Sequence, residues 1–107
     1  MPQVTCTESD HGREIRVQVG DLVVVTLREN PTTGHLWLLA PGASDVLAGQ
    51  GGQFSPGDTT APGAAGARTF TFRAYAAGRA NLDLQLCRPG RDASAPVARF
   101  ALAVLVS

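Results

Sequence analysis

The chain has 107 residues, 44% apolar and 17% charged, a balance that excludes a disordered chain and suits one globular domain over residues 1–107. Nine basic residues, all arginine, offset nine acidic ones, and this zero net charge excludes an electrostatic case for nucleic acid or an anionic membrane as partner. No apolar run approaches the ~20 residues that a membrane-spanning helix needs.

The first ten residues, MPQVTCTESD, lack the basic-then-apolar order of a signal peptide, which leaves a cytoplasmic chain or a secreted one whose leader has been removed. EIRVQV follows, with Ile15, Val17 and Val19 on one face and Arg16 and Gln18 on the other. DLVVVTLRE is nearly continuous apolar over residues 22–27, as expected of a central strand. It runs into NPTTGHLW, a turn that resumes at once with an aromatic segment. ASDVLA, residues 43–48, allows one helical turn behind a Ser or Asp cap. QGGQFSPGDTTAPGAAG, residues 50–66, carries Gly and Pro that exclude a core strand over most of its length.

The second half alternates strictly. RTFTFRAY sets Phe70, Phe72 and Ala74 against Thr69, Thr71, Arg73 and Tyr75. NLDLQLC sets Leu82, Leu84 and Leu86 against Asp83, Gln85 and Cys87. After RPGRDASAP, residues 88–96, the run RFALAVLV opposes Phe100, Leu102, Val104 and Val106 to Arg99, Ala101, Ala103 and Leu105. Period two marks half-buried antiparallel strands. Seven to eight short antiparallel strands separated by turn signals give an all-β, immunoglobulin-like β-sandwich. Trp37 is then a core aromatic between the sheets, and residues 30–34, 50–66 and 88–96 are loops able to share one end. The chain is expected to be a monomer, with residues 97–106 as an edge strand that offers a route to dimers.

Catalytic patterns are weak. Ser55 does not sit in a GxSxG elbow, and His11 and His35 have no carboxylate neighbour in a helpful pattern. Cys87 and His35 form a thiol–imidazole pair only if the fold joins them, and this thiol-enzyme reading stays open as a rival. Cys6 and Cys87 have no CxxC and no histidine at ligand spacing, so neither a metal nor a cofactor is expected. Sequence spacing leaves their pairing open.

The NPTTG turn carries more. Pro31 keeps Asn30 out of the α conformation and fixes its own φ near −65°, and Gly34 permits the positive φ of a reversal. Thr32 and Thr33 are left at the apex with stiff, branched side chains. A tip of this kind has little entropy to lose on binding.

ENPTTGHLW, a Gly-rich central loop and RTFTFRAYAAGRANLDLQLCRP together resemble the chagasin-like inhibitors of papain-type cysteine peptidases, from about Ile15 to the C-terminus. The most specific parts are NPTTG-x-x-W and an A-x-x-x-G-x-x-x-L spacing ahead of Arg88 and Pro89. The resemblance implies a reversible, non-catalytic inhibitor whose three same-end loops fill the peptidase cleft. The first loop is Asn30, Pro31, Thr32, Thr33 and Gly34, with Thr32 and Thr33 beside the target's catalytic cysteine. His35 stands where the family has a bulkier residue. The second loop is Gly63, Ala64, Ala65 and Gly66, and the third is Arg88 and Pro89, with Arg91 beyond. The family continues Arg-Pro with Trp, where this chain has Gly90. A buried Trp anchor is worth about 2 kcal/mol, or roughly thirtyfold in affinity. That departure keeps an alternative in view, a non-inhibitory immunoglobulin-like binding or adhesion module.

Overall fold

Eight strands form two four-stranded sheets in the computed structural model, which describes residues 3–29, 35–39, 45–55, 66–87 and 96–107. They are β1 (Gln3–Cys6), β2 (Arg13–Val17), β3 (Leu22–Glu29), β4 (Leu36–Leu39), β5 (Leu47–Ser55), β6 (Gly66–Ala74), β7 (Gly78–Cys87) and β8 (Ala98–Val106), with one 3-10 turn at Glu8–Asp10. One sheet is ordered β1-β3-β6-β5 and the other β2-β8-β7-β4.

The alternation read from the sequence becomes the core. Val23, Val25, Leu27, Phe70, Phe72 and Ala74 face inward from the first sheet. Trp37, Leu82, Leu84, Phe100, Leu102 and Val104 meet them from the second. Each fully buried Leu or Phe contributes about 1.5–3 kcal/mol relative to exposure, so this interleaved layer holds the sheets together. β3 lies in the interior of its sheet, yet its burial alternates, because only one face meets the core.

Four expectations need correction. The strands are not all antiparallel, since β1 pairs with β3 and β2 with β8 in parallel. β8 is not an edge, because β2 covers one side and β7 the other, so it offers no route to dimers. Val19 leaves the strand face, for β2 ends at Val17 and Val19 stands 52% exposed beside a turn in which Asp21 Oδ2 accepts the Gln18 N–H. The helical turn at 43–48 does not extend through Leu47 and Ala48, which begin β5, while Ala43 and Ser44 lie outside the described residues.

β5 also takes in residues 50–55 of the segment read as loop. Its glycines are what admit it to the sheet. A Cβ on Gly49 would stand 3.2 Å from the Phe72 ring, and one on Gly52 would stand 2.8 Å from the Phe70 ring. The two rings stack on each other, with centroids 6.5 Å apart, in space that side chains on β5 would occupy. Cys6 and Cys87 are both free, one buried in β1 and the other half-buried at the end of β7. Burial, reinforced by the Asp10 charge, pushes the Cys6 thiol up, so it serves as a small core residue.

Candidate functional site

Three connections join strand ends that gather at one pole of the sandwich. The first runs from Glu29 to Leu36, the second from Ser55 to Gly66 and the third from Cys87 to Ala98. In the first sheet Glu29 pairs with Gly66 and Ser55 with Ala67, so β3, β5 and β6 all meet this pole. In the second sheet Leu36 pairs with Cys87 and Leu86 with Ala98, so β4, β7 and β8 do the same. Leu47, Ala74 and Gly78 stand at the opposite pole, whereas β4 stops part-way along its sheet with Leu39 beside Leu84.

Trp37 stitches the two sheets together here. Its indole Nε1–H donates to the Arg28 carbonyl oxygen at 2.9 Å, and its backbone N–H donates to Glu29 Oε1 at 2.8 Å. Glu29 is only 3% exposed and also receives a fork from Arg68. Nε lies 3.0 Å from Oε1, and Nη2 lies 2.8 Å from Oε2. The remaining Nη1 points to the Gly52 carbonyl oxygen at 3.4 Å, and the guanidinium carbon sits 5.5 Å from the centroid of the Phe54 ring. One carboxylate thus receives charge-assisted bonds from β6 and a backbone bond from β4. Burial by itself raises the Glu29 carboxyl. The bonds from Arg68 and the Trp37 N–H, with the Arg68 charge, outweigh it and hold the group below the usual carboxylate range. The Glu29 bonds raise Arg68 in turn, against the effect of burial, so both partners stay charged.

Of the candidate residues, Trp37 is the core aromatic that the alternation implies, 5% exposed. His35 is half-buried directly ahead of β4. Gly66 opens β6 and is buried against the end of β5. A Cβ there would run into the Ser55 carbonyl oxygen and stand 2.5 Å from Phe54 Cζ. Its place is at the base of the second connection, and Gly66→Ala is expected to cost about 1–3 kcal/mol, seen as a lower urea midpoint. Asn30, Pro31, Thr32, Thr33, Gly34, Gly63, Ala64, Ala65, Arg88, Pro89, Gly90 and Arg91 lie outside the described residues.

The sequence reading missed Glu29 and Arg68, although their spacing marks them. Glu29 continues the inward phase of Val23, Val25 and Leu27, and Arg68 continues that of Phe70 and Phe72. Opposite charges on the buried phase of two strands are a signal for a partnered pair. Among the described residues no group of three or more His, Cys, Asp or Glu could hold a metal ion.

Comparison with known proteins follows the same lines. The profile of the family described as "Chagasin family peptidase inhibitor I42" matches residues 16–104. Chagasin of Trypanosoma cruzi is 30% identical over 100 residues, covering 90% of this chain and 91% of chagasin. The solved cysteine protease inhibitor EhICP2 of Entamoeba histolytica is 19% identical, with a TM-score of 0.89 over all of this chain and 97% of its own. PbICP-C, solved in complex with falcipain-2, is 16% identical, with a TM-score of 0.72 over all of this chain and 91% of its own.

Proposed function

The chain belongs to the chagasin family of peptidase inhibitors, and from that membership we propose that it reversibly inhibits papain-like cysteine peptidases with the three connections at one pole. The observation that carries this reading is the convergence of all six strand ends on that pole, tied by Trp37 and Glu29. Support also comes from PbICP-C, which shares the fold and was solved bound to falcipain-2. The protein is an inhibitor and not an enzyme, so Cys87 and His35 have no catalytic part.

In this reading Asn30, Pro31, Thr32, Thr33 and Gly34 enter the cleft, with Thr32 and Thr33 beside the catalytic cysteine. His35 flanks them. Gly63, Ala64 and Ala65 line the cleft from the second connection, with Gly66 as its footing. Arg88, Pro89 and Arg91 close from the third, where Gly90 in place of Trp lowers affinity by roughly thirtyfold relative to a Trp-bearing relative. An interface built this way buries about 800 Å² per partner.

The experiment is a titration of the chain into papain with a fluorogenic peptide. Thr32→Ala/Thr33→Ala is expected to raise the inhibition constant by about 100-fold, two interface contacts of about 1.4 kcal/mol each. An unchanged constant contradicts the assignment of the tip. Failure of the parent chain to inhibit any papain-like peptidase contradicts the function and favours the adhesion module.

A further inference from the structure

We propose that Arg68 is a positioning residue that locks the bases of the first and second connections into one rigid unit and thereby sets the strength of inhibition. The inference rests on the inhibitory reading above. It comes from the reach of one side chain. Arg68 is the third residue of β6, and its fork holds Glu29, where the first connection begins. Glu29 in turn holds the backbone N–H of Trp37, just past the end of that connection. On its other side Arg68 lies over Phe54 and reaches the Gly52 carbonyl oxygen, both on β5 shortly before the second connection. β3, β4, β5 and β6 are thus cross-braced at the pole where the three connections start.

Stability alone does not call for this arrangement. A buried ion pair gives up most of its attraction to desolvation, and well-packed apolar residues often serve equally well. What apolar packing cannot supply is direction. A guanidinium fixes donors in a plane and presents a flat face, so one group sets the spacing of three strands at once. With the brace in place, the ordering cost of the strand ends that carry the connections is met during folding and not at the moment of binding. Loosening the brace leaves the strands intact but lowers the fraction of molecules whose connections match the cleft, and apparent affinity falls by that fraction.

The test compares inhibition constants against papain for the full chain, Arg68→Met, Arg68→Lys and Val104→Ala, each at a concentration where circular dichroism shows it folded. Val104 is buried in β8 and pairs with Ala80 towards the opposite pole, so its truncation destabilises the chain without touching the brace. Arg68→Met is expected to raise the constant about tenfold, as a competent fraction reduced to a tenth implies. Arg68→Lys, which keeps the charge but not the fork, falls between. Val104→Ala stays within about twofold of the parent. Amide exchange at Trp37 speeds up in Arg68→Met and not in Val104→Ala. Arg68 variants that match the parent overturn the inference and leave the inhibitory function standing. So does Val104→Ala weakening inhibition as much as they do. A parent chain that inhibits nothing overturns both.

Discussion

Trp37→Ala is expected to lower the unfolding free energy by about 4 kcal/mol, among the largest effects of any single substitution here. The ring is 5% exposed and lies where β4 closes over the core at the connection pole. Truncation removes its packing, leaves a cavity between the sheets, and strips the Arg28 carbonyl oxygen of the donor 2.9 Å away. Trp37→Phe separates these effects, since it restores most of the volume but not the N–H, and should cost about 1–2 kcal/mol. Urea denaturation followed by circular dichroism measures both. A loss under about 1 kcal/mol for Trp37→Ala contradicts the packing described.

Glu29→Ala is expected to cost about 3 kcal/mol, because it leaves a half-buried guanidinium and a buried backbone N–H without their acceptor. The same pairing makes stability depend on pH. In the unfolded chain Glu29 titrates in the ordinary carboxylate range, and in the folded chain it titrates below that range. Its contribution is therefore complete above the unfolded value and is lost as pH falls through the folded one. The parent chain should lose more stability on acidification through this window than Glu29→Gln, which has no proton to take up. Parallel pH profiles for the two contradict the brace.

Much of the fold was legible because strict alternation is the local imprint of a strand with one buried face. β6, β7 and β8 bury the residues that their period selects, and Trp37 falls in the core. What alternation does not encode is the neighbour. The parallel pairing of β2 with β8 buries an edge that looked open, and no local signal in RFALAVLV announces it. β5 was illegible for a related reason. Gly52, inside the segment read as loop, counted against a strand, and only the Phe70 ring of the adjacent strand makes it a fitting strand residue. At the candidate site NPTTG stood out as a constrained turn. Glu29 and Arg68 did not, since a charged residue at a strand end usually means solvent, and the inward phase alone separates them from that default.

We propose that a single pole of the sandwich meets the peptidase. Amide hydrogen exchange of the chain, alone and saturated with papain, addresses it most directly. Protection confined to residues 30–35, 62–66 and 88–91, with residues 45–47 and 75–78 at the opposite pole unaffected, is the predicted footprint. Protection centred on residues 45–47 and 75–78, or spread evenly over both ends, would contradict it.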